Sequence, residues 1–340
     1  MATIKDIARI SGYSIGTVSR VLNNKADVSE KARSVIESVI REQNYQPNDN
    51  AKRLKQPTPS GIYVIVRGMK NVFLVSILEE ILFRMREHKE SVSVQFLNET
   101  EDEIEAAMQI TAAYRPRGIM FLGGSTETFR GSFRDISVPC VLITADASAV
   151  GHPDLSSFTT DDRAAAEVAV TKLIEAGHTR IGILGGYPVS YPDDNSTLRL
   201  QGALDAMGKA SVSFSEDKYY EPCAYSMQAG YEAAGILLDR CPDITGIFAV
   251  SDTVAFGAMR QISDRGLSVP DDISVVGFDG IENGMYSVPR LSTIRQDISE
   301  LAARSVDDLL LRISYGRPAA HSVIPFSYIE GESVSSPRLS

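Results

Sequence analysis

Two sets of residues in this chain have types and spacings that invite a chemical role, and they lead in different directions. The first would serve catalysis or metal binding. The four histidines (His88, His152, His178, His321) are scattered with no i,i+4 pair, and the three cysteines (Cys140, Cys223, Cys241) lie far apart. Neither set has the spacing of a zinc site. The glycines of the Gly182–Gly186 stretch lack the GxGxxG order of a dinucleotide loop, and no motif supports a nucleophile elbow or a Ser/His/Asp constellation. No catalytic residue, cofactor or metal is therefore expected. The second set is Ile15, Gly16, Thr17, Ser19 and Arg20, a short mixture of apolar, hydroxyl and guanidinium groups. On the open face of a short helix, such a mixture suits recognition in a DNA groove.

The elements that must position this set are legible in the spacing. Ile4, Ile7 and Ala8 fall on one helical face, and Gly12 can take the positive φ that turns the chain. Ser14 is placed to cap a second helix, Ile15–Leu22, whose Val18, Val21 and Leu22 face inward and leave the recognition set outward. A third helix from Ser29 to about Asn44 offers Ala32, Val35, Ile36, Val39 and Ile40 as a stripe that closes the core, and Pro47 stops it. Two short helices across such a turn make a helix-turn-helix, although a partnerless three-helix bundle would carry the same pattern. Charge separates in the same place. Residues 1–56 hold ten Lys/Arg and six Asp/Glu, whereas the whole chain has a net charge of −10. A basic module attached to an acidic body can meet phosphates while the body stays off them.

The stretches MATIKDIARISGYSIGTVSRVLNN and VSEKARSVIESVIREQNYQPNDNAKRLKQ resemble the DNA-binding headpiece of the LacI/GalR family of bacterial transcriptional repressors. The resemblance implies that Ile15, Gly16 and Arg20 read base edges, with Arg20 able to bond guanine O6/N7 bidentately and Ile15 limited to apolar contact. Thr17, Ser19 and Asn23 would meet phosphates. It further implies that Asn48–Leu54 becomes a hinge helix on DNA, where Leu54 wedges into the minor groove beside Lys52, Arg53 and Lys55. Gln56 to Ser60 then leads into a second domain.

From Gly61 the period changes. Short apolar runs at Ile62–Val66, Val92–Leu97, Gly118–Leu122, Cys140–Ile143, Ile181–Leu184, Ile247–Val250 and Ser274–Phe278 alternate with helical patterns, as in buried parallel strands of an α/β fold. This body is similar to the family's sensor through LIEAGHTRIGILGG, FAVSDTVAFGAMR, VPDDISVVGFDG and VPRLSTIRQD. The fold class implied is α/β, with an N-terminal three-helix helix-turn-helix headpiece and a two-lobed, periplasmic-binding-protein-like type I sensor domain. The expected divisions are a headpiece at 1–46, a hinge and linker at 47–60, the sensor at 61–331 and a frayed tail at 332–340. Lobe 1 would take about 61–160 with 292–320, and lobe 2 about 163–289 with 323–330, the chain crossing three times.

Effector contacts follow from the same resemblance. Arg199 matches an arginine that binds ligand hydroxyls, and its fork of donors suits vicinal diols. Asp279 matches a carboxylate position, and Asp252 follows a strand next to Ser251, where several sugar-binding relatives carry asparagine. In lobe 1, Thr144 stands where sugar-responsive relatives often carry aspartate, with Asp146 two residues on. Arg67 at the cleft mouth either favours a charged ligand or pairs with a nearby carboxylate, and Tyr191 is placed to stack on a sugar face. The expected partners are pseudo-palindromic double-stranded operator DNA, a sugar or sugar phosphate, and a second copy of the chain as homodimer. No membrane partner is expected, and the location expected is cytoplasmic. The other reading is a sugar sensor or solute-binding protein without operator control.

Overall fold

Gly12 sits at φ 74° between α1 (Ile4–Ser11) and α2 (Ile15–Leu22), which is the left-handed turn its missing Cβ allows. The Ser14 hydroxyl accepts the Thr17 N–H at 3.1 Å and so caps α2. With α3 (Glu30–Glu42), these helices enclose Ile7, Ala8, Val18, Val21, Ile36 and Val39. Val35 departs from the expected stripe and is exposed, because the core needs only the Ala32, Ile36 and Val39 side of α3. This computed structural model describes residues 4–22, 28–43, 61–68, 70–98, 100–186 and 194–338. The chain divides into two units, Met1–Thr58 and Pro59–Ser340.

The larger unit holds two six-stranded sheets. Along the first run, in spatial order, β11 (His321–Ile324), β5 (Leu155–Thr160), β4 (Cys140–Ile143), β3 (Gly118–Leu122), β1 (Ile62–Arg67) and β2 (Val92–Leu97), all parallel. The second runs β12 (Phe326–Ile329), β10 (Ser292–Gln296), β9 (Ser274–Asp279), β8 (Gly246–Ala249), β6 (Ile181–Leu184) and β7 (Tyr220–Glu221). Only β12 is antiparallel there, against β10. Each sheet is covered on both faces. Helices Val72–Glu87 and Ile298–Tyr315 pack on one side of the first and Glu103–Tyr114 on the other. Asp162–Glu175 and Asp194–Lys209 cover one side of the second, Met227–Arg240 and Asp252–Asp264 the other. Burial on both faces is why most of these strands read as unbroken apolar runs.

Three boundaries differ from the sequence reading. Ser292–Gln296 belongs to lobe 2, where it pairs in parallel with β9, and the crossing to lobe 1 falls at Asp297, which caps the helix Ile298–Tyr315. The last strand, expected as one, is two: β11 pairs with β5 in lobe 1, and after Pro325 β12 pairs in lobe 2. β5 was not expected at all, since Leu155–Thr160 is largely hydroxylic. Its Ser156, Ser157 and Thr159 are nonetheless buried and hydrogen-bonded.

The tail is a further correction. Residues 331–338 are docked along lobe 2. Ser333 is wholly buried, its carbonyl accepts from Val275 N–H at 2.8 Å, and its hydroxyl donates to the Val275 carbonyl at 2.6 Å. The Ser335 carbonyl meets His178 Nε2 at 2.9 Å, and Arg338 pairs with Asp271 and Asp272. Composition pointed to fraying, but serine-rich backbone can complete the end of a sheet by hydrogen bonding.

Candidate functional site

In the headpiece, α2 is held by Val18 and Val21 beneath and by the Ser14 cap at its start, which leaves Gly16 and Arg20 exposed and Thr17 half-buried. Thr17 Oγ1 lies 2.9 Å from Ser14 Oγ, so the hydroxyl nearest the helix start is tied into the cap. Ile15 and Ser19 belong to the same helix. Asn23, Lys52, Arg53, Leu54 and Lys55 lie outside the described residues.

In the larger unit, among the described residues, Asp279 alone of the other expected effector residues stands against Arg199, at the strand ends of lobe 2. Arg199 projects from the helix Asp194–Lys209 and is almost fully buried. Its Nε donates to Asp162 Oδ1 at 2.6 Å, and its Nη1 donates to the Val250 carbonyl at 2.6 Å. The guanidinium lies 3.8 Å from the centroid of the Phe278 ring, and Asp279 Oδ1 stands 3.5 Å from Nη1. Burial works against this cation, but Asp162 and Asp279 outweigh it and hold the guanidinium above its ordinary range. Asp279 is in turn pushed up to about 7 by burial, against the opposing pull of Arg199 and of the Gln296 side-chain N–H that donates to it at 2.8 Å. The cluster is thus a cation between two carboxylates, one of them titrating near neutrality.

Other predicted positions take different places. Ser251 is the N-cap of the helix Asp252–Asp264, its hydroxyl accepting from Val254 N–H at 3.2 Å. Asp252 has no exposure, and both its oxygens are engaged, by Thr293 at 2.5 Å and by Ile281 N–H at 2.8 Å. The geometry puts it under the site, against its expected role as a ligand contact. Thr144 adopts φ 83°, and its carbonyl accepts from Thr159 Oγ1 and, across from lobe 2, from Asn195 Nδ2, both at 2.9 Å. Asp146 is exposed and accepts from Ser148 N–H at 2.8 Å and from Ser157 Oγ at 3.3 Å, which makes it a turn-former at the lobe 1 edge. Arg67 lies 3.5 Å from the buried carboxylate of Glu103, which also accepts from Ser125 N–H and Thr128 Oγ1. Tyr191 lies outside the described residues.

Sequence reasoning missed Asp162, Gln296, Phe278 and Asn195. Asp162 opens a helix after Thr159-Thr160-Asp161, and Gln296 ends a strand in the VPRLSTIRQD segment, so both stood at strand ends where site residues collect. Among the described residues, no cluster of three or more His, Cys, Asp or Glu is arranged to hold a metal ion, and no helix is long and apolar enough to cross a membrane.

The sequence pattern described as bacterial regulatory proteins, lacI family, matches residues 3–48, and a periplasmic binding protein-like domain matches residues 170–334. HTH-type transcriptional regulator MalR of Clostridium butyricum is 34% identical over 97% of this chain and 98% of its own length. The chain belongs to the lacI family. HTH-type transcriptional regulator GalR of Escherichia coli (strain K12) is 30% identical, over 100% of this chain and 97% of its own. The lac repressor dimer bound to operator and the anti-inducer ONPF superimposes with a TM-score of 0.69 at 26% identity, covering 98% of this chain and 99% of that one. This lacI-family protein is therefore an effector-controlled, DNA-binding transcriptional repressor and not an enzyme, and the reading as a solute-binding protein without operator control falls.

Proposed function

We propose that this repressor binds a pseudo-palindromic operator as a homodimer and is switched by an uncharged sugar held between its two lobes. The observation that carries the effector reading is the Arg199, Asp162, Asp279 and Gln296 cluster at the strand ends of lobe 2. Donors (Arg199, Gln296) and acceptors (Asp162, Asp279) stand side by side there, the mixture that recognition of neighbouring hydroxyls uses. Its charge balance argues against a phosphate. Arg199 is already between two carboxylates, and the other arginine expected at the cleft, Arg67, is against Glu103. An anionic ligand would therefore meet two arginines already paired with carboxylates, at a cost that a neutral polyol avoids.

The bond from Asn195 to the Thr144 carbonyl joins the lobes directly, so a ligand that competes for either partner alters how the lobes meet. Dimerisation would use the apolar face carrying Met285, Tyr286 and Val288, beside a groove of about 460 Å³ lined by Met227 and Phe256. Two headpieces then sum contacts that one small module cannot make tightly, with Ile15, Gly16 and Arg20 at base edges and Leu54 in the minor groove. A cytoplasmic location accords with the operator as partner and with Cys140, Cys223 and Cys241 forming no disulfide among the described residues.

The test is selection of operator DNA from random sequence by gel shift, with and without neutral sugars and their phosphates. A palindromic site whose occupancy responds to a neutral sugar is the expected result. Enrichment of no palindrome would overturn the operator reading. A response confined to phosphates would overturn the effector class.

A further inference from the structure

Asp252 presents a carboxyl that no ligand can reach. It is the first residue of the helix Asp252–Asp264 and lies under β9, where any side chain at Gly277 would overlap its Oδ1. Its two oxygens face the strand beside β9 and the turn that follows it. The Ile281 N–H donates to Oδ2 at 2.8 Å, and the Thr293 hydroxyl of β10 lies 2.5 Å from Oδ1. That turn is the one that carries Asp279. Asp279 adopts φ 114° and Gly280 φ 70°. A residue with a Cβ keeps such a backbone only where its surroundings over-determine it. The positive φ takes Asp279 out of strand alternation, and its carboxyl meets the Gln296 side chain and Arg199.

We infer that Asp252 is the positioning residue of the effector site: by holding Ile281 and Thr293 from beneath, it fixes the Asp279–Gly280 turn and so the direction of the Asp279 carboxyl. The inference rests on the effector reading given above. Burial, followed by the nearby Asp279, raises the Asp252 carboxyl well above the ordinary carboxylate range, against the hydrogen bonds from Thr293, Ile281 and Gly280. Thr293 has a second acceptor in the Ile294 carbonyl at 3.3 Å, so a protonated Asp252 can donate to Thr293 while Thr293 donates onward. Asp252 thus clamps from beneath, and Asp279 is the acid that faces Arg199 and Gln296. The charged groups around Asp279 are Arg199 and Asp162 on the Phe278 side and Asp252 below.

The full-length protein provides the test, as wild type, Asp252→Asn and Asp252→Ala. Three quantities are read: amide exchange at Ile281, the NMR pH titration of the Asp279 carboxyl, and thermal-shift affinity for maltose, cellobiose, D-galactose and D-ribose. Asparagine keeps the geometry of the clamp, accepting from Ile281 and donating to Thr293. Asp252→Asn is expected to keep the exchange rate, the Asp279 midpoint and the affinity for the stabilising sugar within about threefold of wild type. Asp252→Ala is expected to speed Ile281 exchange and weaken that sugar by about tenfold or more, and to move the Asp279 midpoint. An unchanged Asp279 titration in Asp252→Ala overturns the proposal, as does an Asp252→Asn protein that behaves like the alanine variant. Should Asp252→Ala not fold, Thr293→Val removes one arm of the clamp and is expected to shift the same three readings in the same direction; no shift overturns the proposal. If none of the four sugars stabilises the wild type, the effector reading falls, and the Asp279 titration still decides the role of Asp252.

Discussion

At the scale of single residues, the proposed effector site is a set of polar groups held at odds with their surroundings. Arg199 and Asp162 form an ion pair buried from solvent on both sides, so truncating either removes a buried charge partner of the other. Arg199→Ala should therefore cost stability, by about 3–5 kcal/mol, as well as effector response. The cleaner probe is Asp279→Asn, which keeps the shape of the side chain and removes its charge. Asp279 titrates near 7 in the folded protein, well above its unfolded value of about 3.9. Between those values the folded state binds the extra proton, so this residue lowers stability as pH rises through the window. A carboxylate accepts hydroxyl protons better than its acid does. Sugar affinity should accordingly rise between pH 6 and pH 8, and Asp279→Asn should flatten the profile. Calorimetric titration at several pH values checks this, and an unaltered slope in Asp279→Asn would remove that residue from the site.

At the scale of elements, α2 and the C-terminal tail make separate predictions. If Arg20 reads a base from α2, Arg20→Ala should lose roughly 1–3 kcal/mol of discrimination at one operator position and little elsewhere. Gel shifts on single-base operator variants distinguish this from a uniform loss, which would make Arg20 a phosphate contact. The tail predicts a stability effect. Ending the chain at Gly331 removes the partners of Val275 N–H and His178 Nε2, at about 1–3 kcal/mol for each buried group left unsatisfied. Thermal unfolding should shift to lower temperature, and an unchanged midpoint would mean that the docked tail contributes nothing. His178 adds a pH signature. Burial lowers its pKa below the ordinary value, ahead of the opposing bond to Ser335. Its contribution is complete above about pH 6.5 and is lost as pH falls through the folded value. The truncated chain loses the bond that opposes burial, so with His178 still buried its acid sensitivity should be greater.

For the whole molecule, the question is how two copies share one operator. A closed two-fold pair needs one self-complementary face, and Tyr286 and Val288 are the most exposed large side chains on the apolar surface of lobe 2. Tyr286→Glu is expected to shift the protein toward monomer in sedimentation and to weaken operator binding by at least about 100-fold, because each headpiece would then bind alone. A dimer unaffected by that change places the interface elsewhere. Operator affinity should also fall steeply with salt, since phosphate neutralisation by the basic headpiece releases counterions. The acidic body does not contradict this, because the charges are segregated along the chain.

The headpiece was legible because its information is local. The spacing of Ile7, Ala8, Gly12, Ser14, Val18 and Val21 is set by one helical period and one turn, and the described structure has those residues in those roles. The apolar strands were legible for a similar reason, since burial on both faces writes them as continuous runs. Arg199 and Asp279 could be named from the sequence, but not their surroundings. Asp162, Gln296 and Phe278 reach them from separate strands and helices brought together only by parallel crossovers. Asp252 and Asp279 look alike as acids after strands. The positive φ at Asp279 and the lack of room at Gly277 set one at the site and the other beneath it. The tail and the hydroxyl-rich β5 read as irregular because their stability lies in hydrogen bonds to distant backbone, which no periodicity records. The sequence by itself determined the helix that presents Arg20. The tertiary structure decided which of these two acids turns toward Arg199 and Gln296, because that depends on the backbone direction of one turn and on what lies under it.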